Sequence, residues 1–368
     1  MARLRKQSLA WAGLDFVRVT YVLVIVLLAG CERDPGQTRA KQLAKRGIHI
    51  QFIGPSEGDP SWPGIVGGAR RYAAAIPTVQ VASTLVPHEP LADARKALAG
   101  ALQSRPAAVC LHIAPADVAE PTALNAKLDQ IHRSGALIVT IGHPYPDERV
   151  FGHVCVNLPE SAEFLGNHLR QVARERRSYV LCHERGASET ATNCYLRFKS
   201  AASQQSDLSL LLEQNTFDPP RDTANVFEET LALFPHAGLV VTLNPTVWLE
   251  GQADLVKRLR QRNKEFQFVT LSTAPSLWAE LGTPSEPGSA AALVGPIDGD
   301  LGYAAAEMAV QTLMSQDKPS KLRWIDAEIV TAKTLPDFAR RYSTAANGLD
   351  VTVFLPPDPL TTTRPDSE

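Results

Sequence analysis

From Gly47 onward, short apolar runs alternate with longer stretches whose apolar residues recur at helical spacing, which predicts parallel strands joined by helical crossovers. Strands are read at residues 49–54, 78–82, 108–113 and 137–141. Between them, 63–75, 92–103 and 122–133 carry the helical period, which stops near Gly135 or before Pro77. A second series of strands is read at 152–156, 178–182, 238–243 and 266–271, with helices at 161–174, 192–204, 226–234 and 249–262. His143-Pro144-Tyr145-Pro146-Asp147, between the two series, reads as a hinge strand. The expected fold class is α/β, with two Rossmann-like lobes built on parallel sheets.

The N-terminus departs from this pattern. Arg3, Arg5, Lys6 and Arg18 precede the apolar run 19–28. That run is far shorter than the roughly 20 residues a membrane-spanning helix needs, so it reads as a secretory segment, with a permanent anchor as the alternative. Leu28-Ala29-Gly30-Cys31 then resembles the lipobox of bacterial lipoproteins. Small side chains suit the scissile bond, and the Cys31 thiol is the group there able to carry a lipid thioether. Polar residues 32–46 read as a tether. The expected organisation is therefore signal segment and lipobox 1–31, tether 32–46, a first lobe of 47–142 plus 297–320, a second lobe of 143–296 plus 321–342, and a disordered tail over 343–368. The expected location is the periplasmic or cell-surface face of a membrane.

A chain of 368 residues, 44% hydrophobic and 21% charged, has material for two ordinary domains. Its net charge of -2 gives no broad positive field for nucleic acid. With Cys31 assigned to lipid, Cys110, Cys155, Cys182 and Cys194 remain without C-x-x-C spacing, so buried free thiols are expected rather than a zinc or redox site. If a disulfide forms, Cys182 and Cys194 are the first candidates. G-x-S-x-G, G-x-G-x-x-G, Walker and H-E-x-x-H signatures are absent, so no enzyme, cofactor or metal is expected. His49, His112 and His153 fall inside apolar runs and read as core histidines. Asp298 and Asp300 read as part of a solvated hinge loop.

Over residues 47–333 the order of elements resembles the sugar-binding branch of type I periplasmic binding proteins. The resemblance rests on Asp59-Pro60-Ser61-Trp62 followed by Gly67-Gly68-Ala69, on 113–117 ending in Asp117, on 135–141, on Asn157 and Gly166, and on 292–302. It implies two lobes joined by about three crossover strands, with a small sugar-like ligand bound between them at the carboxyl ends of the strands. It also implies an ABC-type permease as partner and hinge closure as the mechanism. A sensor presenting its closed form to a membrane receptor or kinase, or a scaffold that binds nothing, are the rival expectations. Transcription regulators with this fold carry an N-terminal helix-turn-helix where this chain has its signal segment.

By that resemblance Trp62 stacks against ligand, Asp59 and Asp117 accept its hydrogen bonds, and His143 stands where the family often has arginine. Each has a structural alternative: Trp62 as a half-buried hydrophobe, the two aspartates as helix or turn caps, and His143 as a hinge residue. In the second lobe the family's charged positions are replaced by Thr192-Asn193, Asn244-Pro245-Thr246, Leu271-Ser272-Thr273 and Pro296. Asn193, Asn244 and Ser272 are the candidates that remain, implying a less charged and more aromatic site. Trp248 and Trp278, in helix-forming sequence, are assigned to core packing, with a place in the site as the alternative.

Overall fold

A computed structural model of the chain describes residues 45–55, 61–87, 91–113, 117, 121–173, 178–216, 225, 229–230, 232–234, 237–244, 266–281, 289–314 and 321–355. Strands β1 (Ile48–Gly54), β2 (Val79–Leu85), β3 (Ala108–Ile113), β4 (Leu137–Gly142) and β5 (Val150–Val156) make one parallel sheet. Strands β6 (Ser178–His183), β7 (Ser209–Asn215), β8 (Leu239–Thr242), β9 (Gln267–Thr270) and β10 (Ala290–Gly295) make another. Two late strands split between them. β11 (Leu322–Ile325) completes the first sheet in the order β11-β5-β4-β3-β1-β2, and β12 (Glu328–Val330) completes the second as β12-β10-β9-β8-β6-β7. β12 alone runs antiparallel to its neighbour.

The helices are α1 (Trp62–Ala74), α2 (Leu91–Leu102), α3 (Pro121–Arg133), α4 (Leu158–Ala173), α5 (Glu189–Ala202), α6 (Asp298–Met314) and α7 (Leu335–Ala345). Helices α2 and α3 cover one face of the first sheet through Leu98, Leu124, Leu128 and Ile131. On the other face α6 comes so close to β5 that a side chain on Gly152 would meet Met308. In the second sheet α4 and α5 close one core, while Phe266, Phe268, Trp278, Phe338 and Tyr342 fill the other. The near-continuous burial along β1, β3 and β8 follows from packing on both faces of the sheets.

The chain passes between sheets three times, after β5, after β10 and after β11. Two sequence expectations change accordingly. The strand read at 152–156 does not open the second series; it pairs with β4. The proline-rich segment is thus a connection within the first sheet, and Arg149 ties it down. Its guanidinium grips Asp147 at 2.7 and 2.5 Å and reaches Asp129 and Asn125 of α3, each at 2.5 Å. The passage lies instead at Asn157. Likewise β11, expected with the second lobe, runs parallel to β5.

Two further expectations are corrected, and the open question of a Cys182–Cys194 disulfide is answered. Asp298 and Asp300 are not in a solvated loop: they occupy the first turn of α6, with Asp298 buried and Asp300 paired to Arg71 at 3.0 Å. Cys182 and Cys194 are free thiols because they belong to cores on opposite faces of the second sheet, and burial pushes each up to about 12. Residues 343–355, expected to be disordered, are ordered. Past α7 the chain turns at Asn347 and Gly348, whose φ angles are 59° and 78°, and the Gly348 N–H donates to the Ser343 carbonyl at 2.8 Å. That turn brings Val351, Phe354 and Leu355 back onto the second core. Residues 356–368, the 226–228 and 249–262 parts of two expected helices, Cys31 and the tether as far as Ala44 lie outside the described residues.

Candidate functional site

The carboxyl ends of β4 and β5 deliver Gly142-His143-Pro144 and Asn157 to the space between the sheets. Gly142 has φ 96°, and a Cβ there would collide with the Ile113 carbonyl, so the turn that presents His143 requires glycine. Asn157 starts α4 as a cap: its Oδ1 accepts from the Glu160 N–H at 3.3 Å, and its Nδ2 donates to the Glu160 carboxylate at 2.5 Å. Across the gap, α5 begins at Ser188, whose Oγ accepts from the Ala191 N–H at 3.0 Å. The helical repeat then lines up Glu189, Asn193 and Arg197 along one side of α5.

These groups and Trp324 of β11 line a cavity of about 400 Å³. Two sequence-selected residues therefore face it from opposite sides, His143 past β4 of the first sheet and Asn193 on α5, which packs on the second. Burial, and secondarily His112, hold the His143 imidazole below its ordinary pKa, so it faces the cavity neutral, able to donate at one nitrogen and accept at the other. Arg197 is in an ion pair with Glu163 of α4 at 3.0 Å.

A polar cluster fixes α5 against its sheet. Glu213 of β7 accepts from Tyr195 at 2.7 Å and from Lys199 at 2.6 Å, and lies 3.4 Å from His183 Nε2. The Arg185 N–H donates to His183 Nδ1 at 3.1 Å, which leaves the ring proton on Nε2, facing Glu213. Burial lowers the His183 pKa although Glu213 works in the opposite sense.

The other selected residues are dispersed. Trp62, 7% exposed, lies over Gly54, with its ring 6.5 Å from Phe52 and 6.1 Å from His112. Asp117 is buried and pairs with Lys127 at 3.0 Å. Asn244 donates to Glu184, and Ser272 Oγ accepts from the Ala274 N–H at 3.2 Å. Trp278 is in the second core and donates to the Thr273 carbonyl at 3.0 Å. Asp59 and Trp248 fall outside the described residues. Glu189, Thr190, Arg197 and Trp324 were missed. Arg197 carried a usable signal, one helical turn beyond Asn193; Trp324 sits in a four-residue strand whose sheet the pattern does not specify.

The sheets' helices also meet on the far side. Tyr342, fully buried in the second core, donates its hydroxyl to the Asp298 carboxylate of α6 at 2.6 Å. Side chains on Gly67 of α1 or Gly299 of α6 would run into the backbone of Ala346 or Ala345, and one on Gly68 into that of Gly299. Thr273 of the second unit donates to the Pro296 carbonyl, in the passage before α6, at 2.6 Å. Among the described residues, no group of three or more His, Cys, Asp and Glu side chains could hold a metal ion.

No family model matches the sequence, and no curated relative does. Solved structures match the fold. A solute-binding protein of an ABC transporter from Agrobacterium vitis, bound to alpha-D-tagatopyranose, superposes with a TM-score of 0.60 at 15% identity, over 80% of this chain and 98% of that one. The arabinose-binding protein AraP from Geobacillus stearothermophilus gives 0.62 at 14% identity, over 79% and 99%. A putative LacI transcriptional regulator from Bacteroides fragilis gives 0.58 at 12% identity, over 79% and 99%. The fold is that of type I periplasmic binding proteins.

Proposed function

We propose that this chain is the substrate-binding component of an ABC-type importer, exported and held to a membrane by lipid on Cys31, and that it binds a small sugar-like molecule without chemically altering it. The observation that carries the reading is the cavity at the carboxyl ends of β4 and β5, faced by His143 from one sheet and Asn193 from the other. A ligand touching both sheets is bound fully only when they approach, so binding selects a closed form whose surface spans both lobes and can be read by a permease. The tagatose and arabinose proteins of like fold favour a polyhydroxylated ligand. A fold shared with a putative regulator does not choose between roles. The apolar run and lipobox ahead of β1 favour the exported one.

The test is a thermal-shift series on the soluble chain from residue 32, using D-tagatose, arabinose, myo-inositol and other neutral sugars and polyols. A ligand at about 100 times its Kd adds about 2.7 kcal/mol to the folded state, a clear rise in Tm. No rise with any of them would defeat the binding reading. Labelled fatty acid should enter the wild-type membrane fraction and not Cys31→Ser; equal labelling would defeat the anchor.

A further inference from the structure

Trp324 is the aromatic side chain of the cavity wall, and it comes from an unexpected element. It lies 43% exposed on β11, the edge strand of the first sheet. The β11 register places Trp324 beside Cys155 and, through β4, in line with Gly142. Its chain neighbour Arg323 points the other way and pairs with Glu307 of α6. Trp324 and Leu322 therefore share the face turned away from α6, and there Trp324 reaches the cavity near His143. The other tryptophans among the described residues are not available: Trp62 is enclosed over Gly54 and Trp278 is in the second core.

Charge narrows what could lie on that ring. Arg197, the cation of the wall, is neutralised by Glu163 and shares its helix side with Glu189, while His143 is kept neutral by burial. With Arg197 taken by Glu163, the wall keeps the exposed Glu189 carboxylate and no unpaired cation, so placing an anion there would cost desolvation without a free counter-charge. What remains is an apolar ring face opposite amide, hydroxyl and imidazole groups, an arrangement suited to a molecule with a C–H face and a hydroxyl rim.

We infer that Trp324 is the specificity-determining platform of the site, holding a neutral sugar or polyol by its C–H face while Asn193 and His143 take its hydroxyls. This rests on the binding function proposed above and adds to it a position: the ligand sits beside the β5–β11 edge, not against α1.

The experiment measures binding by tryptophan fluorescence and calorimetry on wild type, Trp324→Ala, Trp324→Phe and Asn193→Ala, with D-tagatose, arabinose and myo-inositol as neutral probes and D-glucuronate as the charged one. Circular dichroism confirms the fold of each variant; Trp324 is half exposed on an edge strand, and Phe keeps a ring there. At least one neutral probe should bind wild type and exceed D-glucuronate by tenfold or more. Trp324→Ala should weaken it at least tenfold, Trp324→Phe much less. A neutral probe that binds wild type and Trp324→Ala equally overturns the platform and leaves the binding function standing. Preference for D-glucuronate overturns the neutral ligand class. No binding by wild type to any probe overturns the function and the platform with it.

Discussion

On the α1–α6 side the two lobes meet through backbone, and on the α5 side their side chains face one another across open space. The first contact is made where Gly67 and Gly299 allow the chain at Ala345 and Ala346 to lie directly against two helices, with the Tyr342–Asp298 bond beside it. The second is the cavity, where His143 and Trp324 face Glu189, Asn193 and Arg197. Packed backbone has no slack, because dense interiors switch between discrete arrangements and do not deform continuously. Side chains around a cavity change rotamer at little cost. On the proposed function, closure of the lobes would pivot about the glycine side and narrow the α5 side, where the proposed ligand lies.

The comparison breaks most sharply at the glycines. Gly67→Val adds a branched side chain where the Ala346 carbonyl and Cα already stand, and neither neighbour is a flexible side-chain end that could give way. The expected cost is about 3 kcal/mol or more, in the upper range for overpacking. Urea unfolding followed by far-UV circular dichroism would show it; a midpoint like that of wild type would mean that the backbone contact is not maintained in solution.

Tyr342→Phe is the milder form of the same test. It removes the hydroxyl that donates to buried Asp298 and keeps the ring that packs on Trp278 and Phe338. Losing one donor to a buried carboxylate is expected to cost about 1–3 kcal/mol. If the Tyr342–Asp298 bond also holds the pivot, apparent ligand affinity should change in Tyr342→Phe without any residue of the cavity being altered.

How much of this was legible in the sequence differs between the two regions for the same physical reason. The strand and helix periods are local, so β1, β3, β4, β6, β8 and β9 could be read from runs of apolar residues. Sheet membership is not local: β5 and β11 have ordinary compositions, and only pairing places them beside β4. That error carried the proline-rich segment into the hinge, whereas Arg149 anchors it to α3. Within the site, His143 and Asn193 were selected because the family resemblance puts ligand-binding positions there, His143 just past β4 and Asn193 near the start of α5. Trp324 did not, since a four-residue strand carries too little period. Gly67 and Gly68 were noticed as a landmark, but nothing in the sequence said that the chain at 345–346 comes back to meet them.

Proton uptake affects both lobes in one direction. His143, His153 and His183 are all held below the ordinary histidine value of 6.5, each chiefly by burial. A depressed histidine is neutral in both folded and unfolded chains at high pH, so it contributes nothing there; below 6.5 the unfolded chain takes up protons first and stability falls. Asp147, held low by its hydrogen bonds with Arg149, adds a loss of the same sign further down. So does Glu213, where Lys199 and Tyr195 outweigh burial. The urea midpoint should therefore drop between pH 8 and pH 5.5, before the carboxylates titrate. A flat midpoint over that interval would mean that the three imidazoles are solvated.

The smallest expected effect is the most discriminating one. Trp324→Ala removes a large side chain, yet from an edge strand where the ring is 43% exposed and belongs to none of the apolar cores described above. Burial of apolar surface is worth roughly 25 cal/mol per Å², and a side chain already half in water has lost only part of its surface, so the expected destabilisation is about 1 kcal/mol or less. Leu322, on the same face of β11, is likewise exposed and gives no reason for collapse around a smaller residue. Urea unfolding of the ligand-free variant measures this. A loss as large as that of Gly67→Val would identify Trp324 as a structural element of the β5–β11 edge and remove the distinction between a rigid contact and an open one. A small loss, with weakened binding of the neutral probes, would separate the residues that hold the lobes from the residue that holds the ligand.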